Sequence, residues 1–108
     1  MKTDTFRDYF LEQLNELDGF SWRPMFSGTG LYLEGTFFGI ISDGAVYFRV
    51  DDETRTQYEV AGARHFQPSK DFESKKYFEV PAEVLDNSRE IQHWARQAAQ
   101  AKRTAEAR

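Results

Sequence analysis

Cysteine is absent from this 108-residue sequence, and proline (three) and histidine (two) are scarce. The lack of cysteine excludes disulfides, thiolate metal sites, iron–sulfur ligation and a cysteine nucleophile, and it favours the cytoplasm. No apolar stretch approaches the ~18 residues of a membrane span, and the N-terminus has no cleavable signal pattern. The sequence therefore predicts a cytoplasmic, unprocessed protein that does not interact with a membrane.

Positive charge is also in short supply, because the net charge is −4. Such a chain has no overall attraction to phosphate, so any contact with nucleic acid needs a local basic patch. What the chain has in excess is aromatic residues, at 16% of the sequence. With 40% hydrophobic residues, this composition predicts one globular domain over residues 1–108, with rings filling much of its core.

Hydrophobic periodicity and turn residues divide the chain into helices and strands. The reversals are expected at Glu34-Gly35 and Asp43-Gly44, the second being a pair that tight hairpins prefer. The expected elements are a helix over 4–17, an edge strand or extended segment over 22–26, a meander over 30–50, a short helix over 51–62, a loop over 65–73, a strand over 75–80, a short helix from Pro81 and a final helix whose basic tail, 99–108, frays. This pattern predicts a sheet of four to five strands with helices.

Residues that commonly carry chemistry do not form a recognisable catalytic pattern. His65 and His93 lie in unrelated elements, outside any metal-binding spacing, and are interpreted as surface or packing residues. The acidic run 51–53 is interpreted as helix capping, since calcium-loop spacing is missing. The glycines of 28–30 lack the third glycine and the helix of a phosphate loop. We therefore expect no enzyme, cofactor or metal site.

Nucleic-acid binding through basic residues is one hypothesis left open. In the 64–77 segment, basic residues alternate with aromatic ones, but acidic residues outnumber the basic ones across 51–80. The candidate contacts are Lys75 and Lys76 in the segment, and Lys102 and Arg103 in the C-terminal tail.

The run R-P-M-F-S-G-T-G-L-Y-L-E-G, Arg23 to Gly35, followed by an Asp-Gly turn and V-Y-F-R-V-D, resembles the N-terminal domain of the TfoX/Sxy competence regulators. The strand–proline–helix ending, with Y-F-E-V-P at 77–81, fits the same family. The resemblance implies a two-layer α+β fold with an antiparallel sheet, similar to the secretion-chaperone-like class, and no known catalytic residues. It also implies a role in transcription of competence genes, together with the cyclic-AMP receptor protein.

Two positions depart from the family pattern. Ser27 replaces the usual glycine after Met-Phe, and Thr29 stands where an aromatic residue is common. The sequence also ends where the second domain of the regulators is expected to begin. The resemblance is therefore to the N-terminal module, and an activity that needs both domains need not carry over.

The family pattern also marks the candidate interaction residues. These are Arg23, Met25, Phe26, Gly28, Gly30, Tyr32 and Arg49. The segment with Arg23 and Met25 is either an exposed recognition edge or a plug at a sheet end, with Arg23 paired to an acid. The plug is favoured, because Met and Phe beside glycine-rich turns usually close the end of a sheet.

Three hypotheses on function follow. The first is a non-enzymatic protein-interaction module in transcriptional regulation of competence, with a protein partner in the transcription machinery. The second is direct nucleic-acid binding through the 64–77 segment and the tail. The third is a small-molecule or enzymatic role in an aromatic-lined pocket between helix and sheet. An exposed strand edge would support a homodimer, though nothing in the sequence requires one.

Overall fold

The computed structural model describes residues 5–25, 28–70 and 72–107. Within these ranges the elements are, in chain order, α1 (Thr5–Leu14), β1 (Phe20–Met25), β2 (Gly28–Leu33), β3 (Thr36–Ser42), β4 (Ala45–Arg49), α2 (Arg55–Val60), β5 (His65–Ser69), β6 (Phe72–Glu79), α3 (Ala82–Leu85) and α4 (Ser88–Glu106).

The strands form one antiparallel sheet in the order β1-β2-β3-β4-β6-β5, which leaves β1 and β5 at its two edges. The long helix α4 packs across β2, β3 and β4, and α1 and α3 pack against α4. The short helix α2 packs on β6 on the same side of the sheet. The α+β prediction is confirmed, with six strands in place of four to five.

The two reversals within the meander are confirmed by the backbone. Glu34 has φ of 50° and Asp43 has φ of 51°, the left-handed conformation that two-residue hairpin turns require at their first position. The placement of Pro24 in an edge strand is also confirmed, since it lies in β1 opposite Thr29. A proline has no amide hydrogen for a ladder, so an edge strand tolerates it where a central strand does not.

Aromatic rings fill the core between the helices and the sheet, as the composition predicts. Phe38 is completely buried and meets Phe48 edge-on at 5.3 Å between ring centroids. Phe10 of α1 packs on Phe48 at 6.3 Å, and Tyr58 of α2 packs on Trp94 of α4 at 4.7 Å. The Phe10 contact joins α1 to the central strand β4, and the Tyr58 contact joins α2 to α4, so the rings hold the helices to one another and to the sheet.

Two sequence predictions differ from the structure. The expected loop over 65–73 is wrong, because these residues belong to the hairpin of β5 and β6. Pro68 lies in β5, an edge strand, where its missing amide hydrogen does not break a central ladder. The fraying expected over 99–108 is not observed in 99–106, because α4 continues to Glu106.

Among the residues that the structure describes, the helices are all too short or too polar to cross a bilayer.

Candidate functional site

The edge strand β1 exposes side chains that are normally buried. From Ser21 to Met25 every described residue of this strand is exposed. Trp22 and Met25 each retain 41% of their accessible surface, and Tyr9 on the neighbouring helix α1 retains 48%. With Arg23, which lies between them in the strand, Trp22 and Met25 define the β1 edge surface: Trp22, Arg23 and Met25.

Apolar surface extends around this edge because Trp22 and Met25 point to opposite sides of the sheet. The guanidinium carbon of Arg7 on α1 lies 5.6 Å from the centre of the Trp22 ring, so Trp22 faces the helical layer. Met25 faces the other side, where its side chain covers the α-carbon of Gly30. Alternation along a strand produces this arrangement for residues three apart.

Of the two interpretations of this segment, the geometry fits the exposed edge. Arg23 is exposed, and its guanidinium carbon lies 5.0 Å from the centre of the Tyr32 ring on β2. Within the described ranges Arg23 forms no ion pair, so the acid expected by the plug interpretation is not found there. Phe26, which the sequence analysis also named as a candidate interaction residue, lies outside the described residues, as does Ser27.

The two predicted glycines hold β2 close to its neighbours. A β-carbon at Gly28 would overlap the carbonyl oxygen of Ile41, and the φ of 152° at Gly28 is one that other residues rarely adopt. A β-carbon at Gly30 would collide with the side chain of Met25. These glycines are therefore structural, since they allow β1 and β3 to approach β2.

Tyr32 and Arg49 lie on the sheet face opposite the helices, together with Phe37, which the sequence analysis did not select, and Tyr77 of the 64–77 segment. Tyr32 meets Phe37 of β3 edge-on at 5.4 Å, and Phe37 lies 5.9 Å from Tyr77 of β6. The guanidinium carbon of Arg49 lies 5.8 Å from the centre of the Tyr77 ring. Burial raises the pKa of Tyr77, and interaction with Arg49 acts in the opposite direction, so the phenol stays neutral at physiological pH.

The basic residues of the nucleic-acid hypothesis do not form one patch. Lys75 and Lys76 are exposed but adjacent on β6, so they point to opposite faces of the sheet. Lys102 pairs with Glu106 at 3.8 Å on α4. Arg103 donates hydrogen bonds of 3.3 Å to the Thr36 hydroxyl and the Leu33 carbonyl, which holds the end of α4 against the β2–β3 turn.

The remaining candidates have structural roles. Asp51 caps the start of α2, where its carboxylate accepts a 2.7 Å hydrogen bond from the Thr54 amide. His65 lies 2.7 Å from Glu73 across the β5–β6 hairpin, and this hydrogen bond lowers the pKa of Glu73. His93 is exposed on α4. The described residues hold no group of three or more His, Asp or Glu side chains arranged to bind a metal ion.

The surface depressions differ from the aromatic-lined pocket of the third hypothesis. One, of about 700 Å³, lies beside α4 and is lined mainly by polar and charged side chains, including His93, Arg96 and Gln97. Another, of about 800 Å³, lies at the end of β4 beside the acidic turn 51–53. Phenylalanine, tyrosine and tryptophan are missing from both linings, because the rings instead fill the core and the open sheet face.

Sequence reasoning missed Tyr9, Trp22 and Phe37, whereas Tyr77 belongs to the 64–77 segment of the nucleic-acid hypothesis. Periodicity marks the three as apolar positions, but it does not show which apolar residues lie outside the core. The adjacent pair Phe37 and Phe38 carried a usable signal, because neighbours in a strand face opposite sides. One ring of that pair had to lie outside the core.

Comparison with known proteins gives two matches. A family model described as "TfoX N-terminal domain" matches residues 12–102. The chain is 32% identical over 73 residues to "DNA transformation protein TfoX1" of Aliivibrio fischeri (strain ATCC 700601 / ES114). That match covers 66% of this chain and 35% of the relative, so the chain spans about a third of the length of the curated relative it matches.

Proposed function

Because the chain belongs to the TfoX N-terminal domain family, as its sequence resemblance predicts, we propose that it is a non-enzymatic protein-interaction module acting in DNA transformation. In this proposal it works in the cytoplasm and regulates the transcription of competence genes through a protein partner. The relative named for DNA transformation supports the process. Because the match covers 35% of that relative, the proposal concerns the activity of this module alone.

The observation that carries the proposal is the β1 edge surface. Four large hydrophobic residues are exposed within the described ranges, and two of them, Trp22 and Met25, lie on β1. Single exposed apolar residues are ordinary, but aromatic residues, methionine and arginine gathered at one edge are typical of the centres of protein interfaces. This edge therefore has the composition of a docking surface.

The partner in this proposal binds mainly through side chains. An edge strand can accept a further strand through its free amides and carbonyls. Pro24 stands in the middle of β1 and has no amide hydrogen, so a strand added along this edge would lack one donor. Binding through Trp22 and Met25 does not depend on that donor.

The proposal is tested in the host by deleting the gene and restoring it with variants. The readouts are the frequency of DNA transformation and the transcript levels of DNA-uptake genes. We expect the deletion to lower both, the unaltered gene to restore both, and a Trp22→Ser, Met25→Ser double variant to fail. Loss of two apolar anchors removes several kcal/mol of interface free energy, roughly 2 kcal/mol or more for each hot-spot side chain.

The matched control is Val60→Ser. Val60 is 84% exposed on α2, so this change also removes an exposed apolar side chain, but away from β1. Cellular protein levels and thermal unfolding show whether each variant is folded. A deletion that leaves transformation and transcript levels unchanged would contradict the proposed process. Full restoration by the folded double variant would remove β1 as the docking surface.

A further inference from the structure

A row of cations and rings crosses the sheet face opposite the helices. Its members are Arg23 on β1, Tyr32 on β2, Phe37 on β3, Arg49 on β4 and Tyr77 on β6. Successive contacts measure 5.0 Å from Arg23 to Tyr32, 5.4 Å from Tyr32 to Phe37, 5.9 Å from Phe37 to Tyr77 and 5.8 Å from Arg49 to Tyr77. The three contacts that link Arg23 to Tyr77 limit the row to about 16 Å in length.

The two arginines of this row are not neutralised by the chain itself. Within the described residues, Arg7, Arg55, Arg64 and Arg103 each have a carboxylate within 4 Å, whereas Arg23 and Arg49 have none. The Nε of Arg49 is buried and has no hydrogen-bond acceptor among those residues. Arg49 has a side-chain hydrogen bond to Tyr77, so its remaining outer N–H groups, together with those of Arg23, can donate to a planar or tetrahedral anion.

We propose that this row binds a short single strand of DNA or RNA. The bases stack against Tyr32, Phe37 and Tyr77, which gives room for about three bases, and the phosphates meet Arg23 and Arg49. Aromatic side chains that accept bases of any sequence, combined with cations that follow the backbone, are the usual elements of single-strand binding. This activity goes beyond the proposed protein-interaction function. It shares Arg23 with the β1 edge surface but lies on the sheet face opposite Trp22.

The position of the row favours a nucleic acid over an acidic peptide. The row lies on the face of the sheet, where the backbone amides and carbonyls are already engaged in the ladders on either side of each central strand. A peptide therefore gains no backbone pairing there. A single strand of nucleic acid does not need backbone pairing, because its bases present flat rings and its phosphates present charge at every nucleotide.

Binding is measured by fluorescence anisotropy with labelled 12-nucleotide strands of dT and of U, using the whole chain. We expect binding of both strands that weakens about sevenfold between 50 and 200 mM NaCl, since two neutralised phosphates give a slope near −1.4 for a single strand. Tyr32→Leu and Phe37→Leu are expected to weaken binding by about fivefold to a hundredfold. Tyr32→Phe keeps the ring and is expected to bind like the unaltered protein.

The charge variant is Arg23→Gln, and its matched control is Arg89→Gln, an exposed arginine of α4 on the helical layer. Arg23→Gln is expected to weaken binding and reduce the salt slope by about 0.7, whereas Arg89→Gln leaves both unchanged. Circular dichroism and thermal unfolding confirm that the variants are folded. Arg23 is exposed, so its loss does not open the core.

Several results would overturn the inference. The first is that neither strand binds at millimolar protein concentrations. The second is that the Tyr32→Leu and Tyr32→Phe variants bind with equal affinity. The third is that a 12-residue polyglutamate peptide binds more tightly than the dT strand. The last result would assign the row to an acidic protein segment. None of these outcomes bears on the transformation assay, so failure here and failure of the proposed function are distinguishable.

Discussion

Asp51 and Thr54 hold the start of α2 through reciprocal hydrogen bonds. The Thr54 amide and hydroxyl both donate to the Asp51 carboxylate, at 2.7 and 3.0 Å, and the Asp51 amide donates to the Thr54 hydroxyl at 3.0 Å. The amide hydrogen bond from Thr54 is the main reason that the pKa of Asp51 lies below its usual value of 3.8. When folding lowers the pKa of a carboxyl group, the ionised group stabilises the fold at pH values above its pKa in the unfolded chain. This stabilisation is lost as the pH falls through the pKa of the folded state.

We therefore expect Asp51→Ala to lower the free energy of unfolding by about 1 kcal/mol at pH 7. The difference from the unaltered protein should shrink as the pH falls below 3.8 and the carboxylate is protonated. Urea unfolding at pH 7 and at pH 3 measures both values. The control is Asp52→Ala, because the Asp52 side chain is 93% exposed and forms a surface ion pair with Arg55 at 3.3 Å. Equal effects of the two variants at pH 7 would contradict the capping role.

Single residues also show what sequence can and cannot predict. The capping role of the 51–53 segment was predictable, because the signal lies within four neighbouring positions. The exposure of Trp22 and the stacking of Arg23 on Tyr32 were not, since they depend on β1 being the edge of the sheet and on register with β2. Gly28 was selected from the family pattern, but its reason, close approach to Ile41, became visible only in the fold.

Helix α4 packs further along its length than its sequence suggests. Its second half has no large apolar residue, yet Ala98, Ala99 and Ala101 are buried against the sheet. Small side chains let a helix approach closely, and Arg103 fastens its end to the β2–β3 turn. Propensity and side-chain size do not reveal packing of this kind, which explains why fraying was expected.

Ala99→Asp should destabilise the protein by about 2 kcal/mol or more, because it buries a charge in a tightly packed contact. Ala105→Asp is the matched control, as Ala105 is exposed in the same helix and should change stability by less than about 0.5 kcal/mol. Thermal and urea unfolding measure both. Equal stability of the two variants would mean that the last two turns of α4 do not pack as the structure has them.

Among the strands, features set by neighbouring residues were predicted correctly, whereas a feature set by the order of distant strands was not. The reversals at Glu34 and Asp43 follow from turn chemistry and were predicted correctly. The β5–β6 hairpin was missed because Pro68 and its polar neighbours are typical of a loop. An edge strand tolerates a proline, because one side of the strand has no hydrogen-bond ladder that the missing amide could break. Which strand lies at the edge is known only once all six strands are assembled.

For the whole molecule, fold class and family were accessible from the sequence, whereas the surfaces were not. Alternation and turn spacing identified a sheet with helices, and the family pattern, which extends from Arg23 to beyond Pro81, implied that the sheet is antiparallel. The order of the strands decides that Trp22 and Met25 lie on an uncovered edge and that Tyr32, Phe37 and Tyr77 form one row. Strand order is a long-range property, so no local pattern predicts either surface.

The most direct test of the central claim is site-specific photo-crosslinking in the host, with a photoreactive residue placed in turn at Trp22 and at Val60. We predict a defined adduct from position 22 that contains a different protein and survives nuclease treatment. Val60 is exposed but lies on α2, in a different part of the sequence from β1. A photoreactive residue at position 60 should therefore give no adduct. No adduct at position 22, one removed by nuclease, or one made only of a second copy of this chain would contradict the claim that β1 docks a protein partner.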